Sequence, residues 1–128
     1  MDIKSIESTL KNIRDKYASI KEMTETLDIE SNSATCITII EQRSCILSEI
    51  EEEKNRLEQE CRQWRRQCEI NPVLEKIRSE IQMQMSAAIA LDSMFQDKLA
   101  RKIEKVRTEI SDLSQTSKAA LSYARHKV

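Results

Sequence analysis

Cysteine is the residue type in this sequence with the most evident chemistry, because thiolates bind metal ions and form disulfides. The four cysteines, Cys36, Cys45, Cys61 and Cys68, lie too far apart along the chain for a zinc knuckle, and the one histidine, His126, lies in the tail. We therefore predict no metal site and reduced thiols that fill helix seams as small apolar side chains. The sequence leaves open whether these cysteines respond to oxidation.

Carboxylates are the other candidates for chemistry, and the densest run is Glu51, Glu52 and Glu53. These side chains fall on the wet face of a helix, where no histidine and no concave sheet edge organises chemistry. The sequence has no glycine, so it cannot form the Gly-rich loop that cradles a phosphate. We therefore predict that the protein is not an enzyme and needs no cofactor.

The segment RQWRRQ around Trp64 could in principle pair phosphates and stack bases. However, Glu58 precedes Arg62 and Glu69 follows Arg65 at the spacing of helical ion pairs. Trp64 also falls on an apolar heptad position. We therefore predict a solvated face over a core tryptophan and no nucleic-acid partner.

The whole chain of 128 residues has a net charge of −1, and 34% of its residues are charged. This length is typical of one domain, so we predict a single helical domain over 1–128. The first residues lack the basic and apolar regions of a signal peptide, and no window is apolar enough for a spanning helix. We expect a cytoplasmic protein without membrane insertion.

Apolar residues recur in alternating steps of three and four, which is typical of amphipathic helices. A first stripe predicts a helix over about 2–28, and the capping residues of SNSAT separate it from a second helix over 33–69. Asn71 and Pro72 are an N-cap and a first helical residue, so a third helix runs over 72–113. The stripe of the first helix contains Ile3, Ile6, Leu10, Ile13, Tyr17, Ile20 and Leu27. That of the second contains Cys36, Ile40, Leu47, Ile50, Leu57, Cys61, Trp64 and Cys68. That of the third contains Val73, Ile77, Ile81, Met85, Ala88, Phe95, Leu99, Ile103, Val106, Ile110 and Leu113.

The middle of the third predicted helix carries a second apolar stripe, here called the methionine stripe, formed by Met83, Ala87, Ala90 and Met94. A helix that is apolar on two sides has to be covered on two sides. Either the other two helices sandwich this segment, or it forms a groove that accepts an outside helix, for which adaptable Met side chains are well suited. The second interpretation gives a client-binding groove made of Met83, Ala87, Ala90, Met94, Phe95 and Leu99.

The end of the chain changes character at the polar run over 114–117. Ser and Thr compete for backbone hydrogen bonds, so we expect a hinge there and a short helix over 118–126. Leu121 and Tyr123 would anchor this helix with about 2 kcal/mol each before entropy is subtracted, so it should detach easily. The predicted fold is all-α, an antiparallel bundle of three long amphipathic helices plus this detachable C-terminal helix.

The run IALDSMFQDKLARKIEKVRTEISDLSQTSKAALSYA over 89–124 resembles the C-terminal half of the FliT-type flagellar export chaperones, relatives of the FlgN type. The matching features are the pair Leu91 and Asp92, a long amphipathic helix, a polar break and Tyr123 in a short last helix. The run IIEQRSCILSEIEE is similar to the second helix of that family, where an arginine interrupts the apolar seam as Arg43 does here.

This resemblance implies a cytoplasmic chaperone that binds the C-terminal helical segment of the filament-cap protein or another late flagellar subunit. The chaperone would keep its client unassembled and deliver it to the flagellar type III export gate, with the export ATPase as a further partner. The family pattern makes Tyr123, with Leu121 beside it, the candidate for export-gate docking. The alternative is a coiled-coil scaffold or tethering subunit of a larger complex. Self-association as a homodimer also stays open.

Overall fold

A computed structural model of the chain describes residues 2–126, and the side chains of residues 2–125. The described residues form four helices and no strand: α1 (Ile3–Glu25), α2 (Ser33–Glu60), α3 (Trp64–Ile70) and α4 (Pro72–His126). The all-α prediction is confirmed.

Short polar side chains begin three of these helices, as expected of residues that satisfy the first free N–H groups. Asp2 accepts a hydrogen bond from the Ser5 N–H at 2.8 Å, and Asn32 accepts one from the Ala34 N–H at 2.8 Å. Asn71 accepts from the Val73 N–H at 3.0 Å. Helix α4 therefore begins at the Asn-Pro pair identified in the sequence.

The predicted helix over 33–69 is interrupted in the structure. Helix α2 ends at Glu60, and Cys61 leaves helical geometry at φ −146° and ψ 86° before α3 begins at Trp64. No glycine or proline marks this break, which is why the sequence did not reveal it. Cys61 and Trp64 both pack against a cluster that contains the buried Cys68, so tertiary packing accompanies the interruption.

The predicted hinge over 114–117 and separate helix over 118–126 are corrected by the structure, because α4 runs unbroken from Pro72 to His126. Thr116 donates its hydroxyl to the Asp112 carbonyl, one turn earlier, at 2.9 Å. The polar side chain is thus satisfied against the helix itself. No proline or glycine follows Pro72, so the two residue types that disfavour a helix most strongly are absent from this stretch of the sequence.

The residues divide into two compact units, Met1–Phe95 and Gln96–Val128, here called the N-terminal and C-terminal units. The single domain over 1–128 stays a prediction. Two core clusters fill the N-terminal unit. The first contains Ile6, Leu10, Leu57, Cys68, Leu74 and Ile77, and the second contains Ile13, Tyr17, Ile20, Ile50 and Ala88.

Cross-helix contacts fix the direction of α2 against α1. Arg43 donates to Thr24 at 3.2 Å, and Lys54 donates to the Tyr17 hydroxyl at 2.9 Å. Positions later in α2 therefore meet positions earlier in α1, so these two helices run in opposite directions.

Helix α4 runs in the same direction as α1 over the N-terminal unit. Near the start of both helices, Leu10 shares a core cluster with Leu74, and Ile20 shares the other cluster with Ala88 further along. Helices α2 and α4 are consequently antiparallel, and α1 lies against both of them.

Candidate functional site

An apolar cleft of about 150 Å³ opens between α2 and α4 in the N-terminal unit. Its floor is formed by Tyr17 and Ile20 of α1, which are buried. Its walls are Leu47 of α2 and Ile89 of α4, which expose 45% and 62% of their surface, together with the half-buried Met85. Two large apolar side chains thus stand at the rim of a cavity that they do not fill.

A polar cluster closes one end of this cleft. Arg43 donates to Asp92 at 2.8 Å and to the Thr24 hydroxyl at 3.2 Å, so a single guanidinium links α1, α2 and α4. Thr24 is itself buried and donates its hydroxyl to the Ile20 carbonyl at 2.7 Å. The arginine that interrupts the apolar seam of α2 therefore fixes the geometry of the cleft.

A second apolar cleft of about 220 Å³ lies between the same two helices. Leu10 and Ile13 of α1 form its floor, Leu57 and Ile81 line its sides, and the half-buried Trp64 of α3 lies at its edge. Ile81 precedes Met85 of the first cleft by one helical turn. The two clefts therefore follow one another along the seam between α2 and α4.

Charged side chains surround the second cleft. Glu58 accepts a hydrogen bond from the Trp64 indole at 3.0 Å and forms an ion pair with Arg65 at 3.1 Å, while Arg65 lies 5.3 Å from the centre of the Trp64 ring. Arg78 donates two hydrogen bonds to Glu75, each of 3.0 Å, and these bonds lower the pKa of that carboxyl. This end of the seam thus combines an indole with arginines and carboxylates.

The two clefts together form one surface, here called the α2–α4 groove. Along α4 it extends from Arg78 to Asp92, which corresponds to about 21 Å at 1.5 Å per residue. That length matches about four turns of a further helix. A groove with an apolar floor, apolar rims and charged ends has the chemistry to accept an amphipathic helix.

The methionine stripe lies on a different side of α4 from this groove. Met83, Met94 and Ala90 are exposed, and Ala87 is half-buried. Because successive residues are about 100° apart around a helix, Met83 and Met94 point almost opposite to Met85, which lines the first cleft. The four side chains lie in one stripe in which Ala87 alone is half-buried, and their role in client binding stays a prediction.

The other predicted site residues lie apart from the methionine stripe. Phe95 is half-buried in the N-terminal unit, whereas Leu99 is exposed and belongs to the C-terminal unit. Leu121 and Tyr123 are 62% and 69% exposed near the end of α4. Their export-gate role stays a prediction.

Sequence reasoning missed the α2–α4 groove, although two signals for it were available. Arg43 sits in the apolar seam of α2 and Asp92 sits in that of α4, which suggests a pair across the interface. Leu47 and Ile89 are apolar residues beside those charges. What the sequence could not supply is the pairing of the two helices that brings these residues together.

The cysteines differ in their surroundings. Cys68 is completely buried, which raises the pKa of its thiol, whereas Cys45 is exposed. Cys36 lies with its sulfur 3.3 Å from the Asp28 carbonyl oxygen. All four are free thiols, and among the described side chains no group of three or more His, Cys, Asp or Glu could hold a metal ion. The side chain of His126 lies outside that part of the structure.

Within residues 2–126, no helix combines the length and apolar character needed to cross a bilayer.

Comparison with known proteins gives no match to a family model, a curated protein or a solved structure.

Proposed function

We propose that this protein is a non-enzymatic chaperone that holds an amphipathic helix of a partner protein in the α2–α4 groove. The observation that carries the proposal is the pair of apolar clefts in one line over α1, with Leu47 and Ile89 at the rim. A bound helix would lie between α2 and α4, over the residues of α1 that form the floor of the groove. Such binding would cover the client's apolar stripe and prevent premature self-assembly.

The dimensions of the groove restrict the client helix. The residues of α4 that line the two clefts are centred about nine positions, or two and a half helical turns, apart, so the client should present large apolar residues about seven to eleven positions apart on one face. The residues that line the second cleft include Lys54, Arg65 and Arg78 but one carboxylate, Glu58, so a client flank that carries a carboxylate fits this end. These requirements describe an ordinary amphipathic helix with one acidic end.

The identity of the client rests on the resemblance to the FliT-type chaperones. On that basis, the client is the C-terminal helical segment of the filament-cap protein or another late flagellar subunit, bound in the bacterial cytoplasm and delivered to the type III export gate. Leu121 and Tyr123 then form the gate-docking site. Because α4 is continuous, gate contact in this proposal uses their exposed side chains and requires no detached helix.

The direct test is calorimetric titration of the full chain with the C-terminal helical segment of the filament-cap protein from the same genome. Leu47→Glu and Ile89→Glu place a charge at the rim and should each raise Kd at least about tenfold. Ile37→Glu is the matched control, since Ile37 lies on α2, is 54% exposed and does not line either cleft. Equal loss of affinity in all three variants would contradict the groove.

Two further variants separate the remaining site predictions. Met94→Glu should leave client affinity unchanged if the α2–α4 groove is the binding site, and should abolish binding if the methionine stripe is. Tyr123→Ala should weaken binding of the client-loaded chaperone to the purified export-gate protein without changing client affinity. Unchanged gate affinity would reject the docking role of Tyr123.

A permanent coiled-coil scaffold is the second candidate, favoured by the exposed apolar residues of the C-terminal unit, which include Ile110 and Leu113. Such exposure is typical of a surface that an obligate partner covers. Sedimentation velocity of the isolated chain distinguishes the two functions. A chaperone should give a discrete monomer or dimer, whereas an orphaned scaffold strand should aggregate.

A further inference from the structure

The C-terminal unit carries an apolar stripe along α4, here called the C-terminal stripe. Its five members are between 40% and 70% exposed and follow alternating steps of four and three: Leu99, Ile103, Val106, Ile110 and Leu113. This spacing assigns Ile103 and Ile110 to the a positions of a heptad, and the other three residues to d positions. Apolar residues at successive a and d positions form the seam of a coiled coil.

The residues that flank the stripe decide which partner and direction it fits. In this register Lys102 and Glu109 occupy g positions, and Arg107 occupies an e position. In a parallel pair of identical chains, each g residue faces the e residue five positions later in its partner, so Lys102 would face Arg107. The two repulsive contacts disfavour a parallel homodimer.

An antiparallel pair brings g residues opposite g residues. In one register Lys102 of each copy faces Glu109 of the other, so this charge pair occurs twice. Likewise, Ile103 of each copy packs against Val106 of the other, and Ile110 packs against Leu99. This alignment gives two attractive charge pairs and four fully apolar layers.

The neighbouring antiparallel registers, shifted by one heptad, are both unfavourable. One shift places Glu109 opposite Glu109 and Arg107 opposite Arg107, and the other places Lys102 opposite Lys102. Charge complementarity therefore selects a single register of a single orientation.

We propose that the C-terminal stripe is a self-association surface on which a second copy of this chain binds as an antiparallel coiled coil in that register. A second copy is the occupant because its stripe carries the opposite charges at the facing positions when the two stripes run in opposite directions. The proposal concerns residues 96–113 alone and is independent of the α2–α4 groove.

Charge substitutions test both the contact and its direction. In sedimentation equilibrium of the full chain, Lys102→Glu and Glu109→Lys should each raise the dimer Kd about tenfold, and the double variant should restore it. Arg101→Glu and Glu104→Lys are matched controls at outward heptad positions and should leave the dimer Kd unchanged. A stronger dimer with Lys102→Glu would overturn the proposal, because that is the outcome for a parallel pair.

Zero-length cross-linking gives a second readout that does not depend on folding of a variant. Carbodiimide treatment of an equal mixture of ¹⁴N- and ¹⁵N-labelled chains should join Lys102 to Glu109 in peptides of mixed isotope content. A chain that stays monomeric at the highest concentration reached, or a dimer whose cross-links lack the mixed Lys102–Glu109 pair, would overturn the proposal.

Discussion

The two units of this chain share one apolar pattern but differ in what that pattern contacts. Ile77 in the N-terminal unit and Leu113 in the C-terminal unit both lie on the apolar seam of α4, yet Ile77 is 3% exposed, as is the neighbouring Leu74 at 0%, whereas Leu113 is 70% exposed. In the N-terminal unit α1, α2 and α3 supply residues that cover the seam. The heptad pattern thus identifies the face that needs a partner, and the partner itself comes from the rest of the fold or from another molecule.

Polar contacts differ between the units in the same way. In the N-terminal unit Arg14 reaches from α1 to Glu80 of α4 at 2.9 Å, and Arg43 connects three helices. In the C-terminal unit Thr108 and Thr116 donate to carbonyl groups one turn earlier in the same helix. Long-range polar contacts therefore accompany the packed seam of the N-terminal unit.

The largest expected effect comes from truncating the same residue type in each unit. Leu74→Ala should lower the free energy of unfolding by about 3 kcal/mol, because it removes buried methyl groups and leaves a cavity. Leu113→Ala should lower it by less than about 0.5 kcal/mol, measured by urea denaturation at a concentration where the chain is monomeric. Similar losses in both variants would show that the two seams are equally packed.

Thiol reactivity gives the next largest effect. Cys45 is exposed, whereas Cys68 is buried, which raises the pKa of its thiol, and reagent reaches Cys68 only when the core opens. Iodoacetamide should modify Cys68 at least about a hundredfold more slowly than Cys45, as followed by mass spectrometry of tryptic peptides. Denaturation in urea is the control and should bring the two rates together.

The cluster at the end of the first cleft should contribute a smaller amount. Arg43 and Asp92 are partly buried and 2.8 Å apart, so a double-mutant cycle with Arg43→Ala and Asp92→Ala should give a coupling of about 1 kcal/mol. Lys11 and Glu7, a pair one turn apart within α1 whose lysine is exposed, provide the matched control and should couple by less than about 0.5 kcal/mol. Equal coupling in the two cycles would remove the case for Arg43 as the residue that fixes the cleft.

The smallest effect concerns pH. The Ser5 N–H donates a hydrogen bond to Asp2 and lowers the pKa of its carboxyl. The carboxylate therefore stabilises α1 fully at pH values above the pKa of Asp2 in the unfolded chain. This stabilisation is lost as the pH falls through the lower pKa of Asp2 in the folded chain. Below about pH 4 the wild-type Tm should therefore fall slightly more than that of Asp2→Asn, which keeps the cap without the charge. Parallel Tm curves over that range would rule out the charged cap.

Much of the fold could be predicted from the sequence because the stripes of α1 and early α4 are regular. Ile6, Leu10, Ile13 and Ile20 were placed on one face by their spacing, and all are buried. Asn71 and Pro72 marked the start of α4 because capping chemistry is local. The same kind of local reasoning also gave a wrong prediction: the polar run over 114–117 indicated a hinge, yet its residues remain within α4.

The remaining features depend on tertiary packing and could not be predicted. The break after Glu60 has no glycine or proline, and its residues pack around Cys68. The groove needs Leu47 and Ile89 to face each other across two helices, which the heptad pattern permits but does not specify. The methionine stripe drew attention by composition, although the concave surface lies on the other side of α4.

Hydrogen exchange of the full chain, with and without the client helical segment, tests the central claim most directly. If the α2–α4 groove binds the segment, its addition should slow exchange in the peptides that contain Leu47 and Ile89 and leave those over 99–113 unchanged. Slower exchange confined to 99–113 would contradict the groove and place the client on the C-terminal stripe instead.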